Sequence, residues 1–440
     1  FISEFYKAIK IAKSGRPGPV WIDLPLELQW SEIDFNYSSK KEEVKTLDLK
    51  LENEYQKSLK LIEKSKKPIF ILGYGLRTSK LDIKKIRGYT KKNNIPFVCT
   101  WNSADLLSTK NELNLGTIGM SGHRGANKAV FESDLIIWLG THLSIPHTTT
   151  LYESYATQAK KIIINIDSNQ IKNLNLKFDL KICSDVKKYF IWLEKQKIKK
   201  KNWLNKKYYK DMNWYTPSEN KLVNSNSFIH ELTDKIKEKF CMIVDGGGTA
   251  LYAAHQSCVL KDGDRIICSS AISSMGTGLA ETIGVAKSKK FKRLICVIGD
   301  GSFLMNIQDL QTIIQEKINV SIILVNNNGY LAIRHSQKEF LKGRYYGTHP
   351  NWNLTMPNFE KVSKAFNLRY EKLNNVNKKK IIIDKILKNK HPTVYEINVD
   401  ESQSSLFKQG YLKNNKGIFI PQPLSEMFPY LKKPAANTNN

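Results

Sequence analysis

Leu294-Ile295-Cys296-Val297-Ile298-Gly299-Asp300-Gly301-Ser302-Phe303 is the stretch on which the fold turns. Its first five residues form an uninterrupted, largely β-branched apolar run, the pattern of a strand buried on both faces of a parallel sheet. Gly299 and Gly301 then allow a sharp turn and a close approach to a ligand. Leu304, Ile307, Leu310, Ile313 and Ile314 recur at helical spacing, and residues 320–325 make a second buried run that ends in Asn326-Asn327-Asn328-Gly329. Strand, helix, strand in that order predicts a βαβ unit, and with it an α/β chain of successive parallel-sheet domains. The carboxyl ends of neighbouring strands form the ligand crevice of such sheets, which brings Asp300 and Asn327 together. A carboxylate, an amide oxygen and nearby main-chain carbonyls suit Mg²⁺, which keeps a phosphate oxygen as well. The amides of Gly301 and Ser302, at the helix start, are expected to face that phosphate.

Composition sets the outer limits. The 440 residues are enough for two to three domains with ample core. No run of 18 apolar residues occurs, so no membrane partner is expected. Six cysteines, at 99, 183, 241, 258, 268 and 296, show no CxxC pairing and read as reduced, buried thiols of a cytoplasmic protein. The net charge of +28 invites a nucleic-acid reading, yet only nine of the 69 basic residues are arginine. A phosphate-reading face favours arginine, so the excess reads as compositional bias and no nucleic-acid partner is expected.

Along the chain, residues 1–30 read as a helix ended by Gly15, then a strand Val20-Trp21-Ile22-Asp23-Leu24-Pro25. Residues 31–50 are a polar linker. Residues 51–186 repeat strand and helix signals, with strands at 68–72, 96–100, 135–139, 162–166 and 180–183. Gly73 and Gly75 follow the first of these, and a plain βα turn explains them at least as well as a dinucleotide-binding turn. His123, His142 and His147 lack ligand spacing. Residues 187–214 form a basic linker whose lysines mix with Tyr189, Trp192, Trp203 and Tyr208, read as a solvated interdomain helix. Residues 215–400 hold the opening stretch. There Asn226 or Ser227 is expected to cap a helix over 228–240, and a strand at 242–244 ends in Asp245-Gly246-Gly247-Gly248-Thr249. Three glycines and a threonine at a strand end suit a diphosphate. Residues 401–440 read as an irregular C-terminal extension that closes over the site.

Gly299-Asp300-Gly301, 24 residues, then Asn326-Asn327 resembles the signature of thiamine diphosphate enzymes. Three other stretches resemble one branch of them, the acetolactate synthase large subunit family. Residues 14–25 resemble the end of its pyrimidine-binding domain, and Gly119-Met120-Ser121-Gly122-His123-Arg124-Gly125-Ala126-Asn127 its flavin-lining central segment. Ser273-Ser274-Met275-Gly276 resembles the segment whose hydrophobic residue bends the cofactor. The resemblance implies that residues 1–30 end a pyrimidine-binding domain, 51–186 form a central domain and 215–400 bind thiamine diphosphate and Mg²⁺. It implies cofactor binding by Gly247, Gly248, Thr249, Ser273, Met275, Gly299, Asp300, Gly301, Ser302, Asn327, Gly329 and Tyr330. Metal ligation falls to Asp300, Asn327 and Gly329, and Met275 takes the catalytic part of supporting the bent cofactor. The family's activating glutamate has no match before residue 14, so it is expected in a portion upstream of Phe1, and these 440 residues alone are expected to be inactive.

The implied activity is decarboxylation of a 2-oxo acid, pyruvate first among them, with carboligation to a second carbonyl, in a homodimer or homotetramer. Three departures bear on this. Leu139-Gly140-Thr141-His142-Leu143-Ser144-Ile145-Pro146 lacks the charged residues that hold flavin in the family, so FAD is expected to bind weakly or not at all. Thr249-Ala250 stand where the family has His-Gln. Tyr330-Leu331-Ala332-Ile333-Arg334-His335-Ser336-Gln337 replaces the acceptor-choosing run, and leaves Arg334 and His335 either to bind a substrate carboxylate or to face solvent. Two alternatives stand beside the leading reading. One is a 2-oxo acid decarboxylase or a carboligase with another acceptor; the other is a non-catalytic basic nucleic-acid-binding protein, against which the intact motifs speak.

Overall fold

The computed structural model describes residues 2–32, 49–205, 208, 221–269, 272–403 and 407–430. Most of the linker at 31–50 and the later part of the basic linker at 187–214 lie outside them.

Two six-stranded sheets, parallel in every ladder, make the frame. The first holds β1 (Pro68–Leu72), β2 (Phe97–Cys99), β3 (Asn114–Thr117), β4 (Leu135–Leu139), β5 (Lys160–Asn165) and β6 (Leu180–Cys183), in the order β3-β2-β1-β4-β5-β6. The second holds β7 (Phe240–Val244), β8 (Arg265–Cys268), β9 (Arg293–Gly299), β10 (Val320–Asn326), β11 (Arg369–Leu373) and β12 (Thr393–Asn398), in the order β11-β12-β10-β9-β7-β8. Helices cover both faces of each sheet, so a separate apolar layer lies on either side. That is why β1, β4 and β10 are apolar without alternation: each is buried along its whole length.

Four expectations change. Residues 20–25 are extended but join no ladder among the described residues, and Trp21 is 87% exposed. A strand needs a neighbouring edge to take its amides and carbonyls, and none lies beside it among the described residues. The helix Val186–Glu194 is not a solvated linker: Tyr189, Phe190 and Leu193 lie on one face and fill the first sheet's core. Cys183 is an exposed thiol at the end of β6. Lastly, Asn224 rather than Asn226 or Ser227 caps the helix Ser225–Lys235, accepting the Ser227 amide at 3.0 Å.

The two sheets are tied to one another. The buried Asp105 carboxylate accepts from Arg77, just past β1, at 2.5 Å, from Arg265 of β8 at 2.6 Å and from the Ile266 amide at 3.1 Å. Beyond β12 the chain returns to the first sheet as a strap. Gln409 N donates to Met120 O at 2.6 Å, and Leu424 is wholly buried in the first sheet's core. The Arg124 guanidinium lies 4.8 Å over the Phe407 ring and hydrogen-bonds the Pro429 carbonyl. Among the described residues no helix is long and apolar enough to cross a membrane.

Candidate functional site

A cleft of about 460 Å³ opens at the carboxyl ends of β7, β9 and β10. It is lined by Gly247, Gly248, Thr249, Met275, Gly299, Asp300, Gly301, Ser302, Asn327, Gly329 and Tyr330, which gathers every sequence-predicted site residue but Ser273. Ser273 lies behind Gly246, where a methyl group would meet the Ser273 carbonyl carbon at 2.4 Å.

The sheet register sets the geometry. β9 and β10 run side by side with Gly299 opposite Val325, so Asp300 and Asn327 leave adjacent strand ends together. The Asp300 Oδ1 accepts from the Gly301 amide at 2.8 Å, and its Oδ2 from the amides of Asn327 at 3.0 Å and Gly329 at 2.8 Å. Gly301 therefore gives its amide to the carboxylate of the preceding residue, which corrects the expectation that this amide faces a phosphate. Burial pushes the Asp300 carboxyl up to about 6, against the pull of those three amides and the Arg334 charge. Beside it, Asn327 Oδ1 is buried with no hydrogen-bond partner among the described residues. A carboxylate oxygen with a spare lone pair and an orphaned amide oxygen supply two of the six oxygens of an octahedral shell, so the residues present fit Mg²⁺. Among the described residues no group of three or more His, Cys, Asp or Glu could hold a metal, so the remaining ligands must be carbonyl, water or phosphate oxygens.

The opposite wall is the start of the ten-residue helix Gly248–Ser257, which makes its first-turn amides available to an anion. Asp245 anchors this turn. Its carboxylate accepts from Gly247 N at 3.2 Å and from Gly278 N at 3.0 Å, joining the glycine loop to the segment that carries Met275. Gly329 has φ +116°, a conformation that side chains with Cβ rarely adopt, and a methyl on Gly301 would lie 2.4 Å from the Tyr330 ring. Sequence reasoning missed what holds the asparagine turn. Arg334 neither binds at the surface nor faces solvent: it is 4% exposed and donates to the carbonyls of Asn327 at 2.6 Å, Asn328 at 2.8 Å and Thr348 at 2.8 Å. Main-chain partners leave no trace in a side-chain pattern, so only the unusual Arg beside the turn hinted at it. Gln337 is likewise withdrawn, held by Thr348 Oγ1 at 2.5 Å and donating to Tyr346 O at 3.1 Å, so Ala332 and Ile333 line the cleft instead.

In the first sheet, Gly75 donates to Gly140 O at 2.8 Å and Gly73 to Leu139 O at 2.9 Å, which makes the GxG a packed βα turn. The segment 119–127 is covered by the chain itself. Met120 donates to Pro146 O at 2.7 Å and accepts from Gln409, while Asn127 bonds Gly119 and the Met427 sulfur.

Comparison with known proteins agrees with this arrangement. Residues 245–397 match the C-terminal TPP binding domain of thiamine pyrophosphate enzymes, and residues 55–193 match their central domain. The chain is 29% identical over 417 residues to an acetolactate synthase large subunit of Cyanidium caldarium, covering 90% of this chain and 70% of that protein. It is 25% identical over 400 residues to the acetolactate synthase isozyme 1 large subunit of Escherichia coli strain K12, with the same coverage. A probable acetolactate synthase large subunit of Methanocaldococcus jannaschii is 27% identical over 457 residues, covering 98% of this chain and 74% of that protein. The glycine turn, the Asp300–Asn327 pair and both matched domains thus agree, and the chain belongs to the thiamine pyrophosphate enzymes as an acetolactate synthase large subunit-like member.

Proposed function

We propose that this protein binds thiamine diphosphate through Mg²⁺ in the β7–β9–β10 cleft and uses it to decarboxylate a 2-oxo acid, pyruvate first, and join the product to a second carbonyl. The observation that carries the reading is the unpaired Asn327 Oδ1 beside the Asp300 carboxylate. When bound, thiamine diphosphate supplies the nucleophilic carbon and the electron sink that decarboxylation requires. The chain's own residues bind and orient it. Asp300, Asn327 and the Gly329 carbonyl hold the metal. The turn Gly247, Gly248 and Thr249, with the Ser302 hydroxyl, receives the diphosphate, while Met275 and Tyr330 flank the rings as an apolar wedge and wall. The Met275 Cγ would lie 3.0 Å from a methyl on Gly247, which places it against the turn it is to brace.

A second reading, a simple decarboxylase or a carboligase with another acceptor, draws support from Ala332 and Ile333. Neither offers a polar group to orient an acceptor carbonyl. Flavin is left out of the proposal because segment 119–127 is covered. Residues 51–186 and 215–400 are proposed as the central and cofactor-binding units, and a homodimer or homotetramer as the assembly, since Trp21 and Trp30 lie exposed on one short segment. Asp300→Ala should abolish Mg²⁺-dependent thiamine diphosphate binding without unfolding the second sheet. Calorimetry that finds undiminished affinity in that variant would end the assignment.

A further inference from the structure

The turn that follows β10 is fixed from three sides. Asn326 is tied through its Nδ2 to Glu396 at 2.9 Å, and its Oδ1 accepts the Asn328 amide at 3.0 Å. Asn328 is tied through its Nδ2 to Glu401 at 2.8 Å. Among the described residues Asn327 is held by its main chain alone: Asp300 accepts its N–H, and Arg334 donates to its C=O. Its side chain therefore keeps its oxygen free while the peptides on either side cannot rotate.

Arg334 reaches the carbonyl side of this turn. It rises from the helix Leu331–Phe340, and its guanidinium spans three carbonyls, those of Asn327, Asn328 and Thr348. A planar fork with five donors satisfies three acceptors in different directions; a lysine ammonium on a flexible stem does not. The buried cation is balanced by Glu401, whose Oε2 lies 3.5 Å from Nη2. Resting on the site proposed above, we propose that Arg334 is its positioning residue: by pinning the Asn327 and Asn328 peptides it holds Asn327 Oδ1 at a fixed separation from Asp300, and so makes the site select a small divalent cation. Mg²⁺ demands near-ideal octahedral geometry at short distances, whereas Ca²⁺ accepts longer and looser shells. A fixed turn favours the first, and a released one loses the preference.

Arg334→Lys tests this, with Asp300→Ala as the control for the site itself. Mg²⁺ and Ca²⁺ are each titrated in the presence of thiamine diphosphate by calorimetry. Amide exchange at Asn327 and Gly329 is followed without cofactor. In Arg334→Lys the Mg²⁺ half-saturation should rise at least tenfold, the Ca²⁺ value should change much less, and both amides should exchange faster. A folded Arg334→Lys protein with an unchanged Ca²⁺ to Mg²⁺ ratio, or with both cations weakened equally, overturns the inference. If the lysine variant does not fold, Arg334→Ala with added guanidinium ion takes its place. Restoration of the Mg²⁺ preference by guanidinium supports the role, and equal restoration by methylammonium overturns it. Retained Mg²⁺-dependent binding in Asp300→Ala would instead strike the proposed site. Loss there with a neutral Arg334→Lys strikes only the role of the arginine.

Discussion

Asn327 holds a buried acceptor that nothing among the described residues satisfies, and such a group costs roughly 1–3 kcal/mol. Removing it should therefore not harm the cofactor-free protein. Asn327→Ala is expected to unfold at the same denaturant concentration as the parent, or slightly higher, while Mg²⁺-dependent thiamine diphosphate affinity falls at least tenfold. Paired denaturation and calorimetry check both halves; a stability loss would mean that the amide has a structural partner. Gly301→Ala should weaken binding by a different route, because its methyl would meet the Tyr330 ring at 2.4 Å and push that wall into the cleft. Asp300, Asn327 and the glycine turn were legible because their chemistry follows from residue type at strand ends. Arg334 was not, since its partners are carbonyls that every residue possesses, and Gly301 misled because an isolated amide in a motif does not announce that the preceding carboxylate will take it.

Between the sheets, three helical elements bring buried histidines together. His123 precedes the helix Arg124–Glu132, His147 lies in Ile145–Thr148, and His255 lies in Gly248–Ser257, with Trp101 stacked on His255 and edge-on to His147. Burial lowers His123 and His147 to about 4 and His255 to about 3, from an ordinary value of 6.5. Above 6.5 both folded and unfolded chains keep these rings neutral. As pH falls below 6.5 the unfolded chain takes up protons that the fold refuses, so stability drops until the folded values are reached, by up to about 1.4 kcal/mol per pH unit for each ring. Asp300, raised by burial to about 6, acts in the opposite sense below that pH, and Glu281 and Asp264, also raised by burial, act in the same sense as Asp300. The clean readout is a difference: His255→Gln should lose stability less steeply than the parent between pH 6.5 and 5, measured by denaturant unfolding. Equal slopes would show that His255 accepts a proton in the fold. The elements themselves were read unevenly. β1, β4 and β10 stood out as unbroken apolar runs, whereas β3, β8 and β11 went unread. All three are sheet edges, where one ladder suffices, and β11 is Arg369-Tyr370-Glu371-Lys372-Leu373.

Across the molecule, Asp105 joins the two sheets as a buried anion between Arg77 and Arg265. Removing one member of such a set leaves charge uncompensated, and Asp105→Ala should cost about 3–5 kcal/mol. Scanning calorimetry should then resolve two transitions where the parent gives one; a single transition lowered in temperature would show that the strap alone keeps the halves coupled. The strap has one more consequence, for the order in which the chain is made. The strands of the first sheet are complete once Cys183 has left the ribosome, yet Leu424, which fills that sheet's core, and Gln409, which seals Met120, come more than two hundred residues later. At usual elongation speeds this leaves a nascent first sheet with an open groove for roughly ten to fifty seconds. Of the two sheets, the one translated earlier is thus the one finished later, and during that interval its groove is a natural seat for a chaperone or for the strap of a neighbouring chain on the same message.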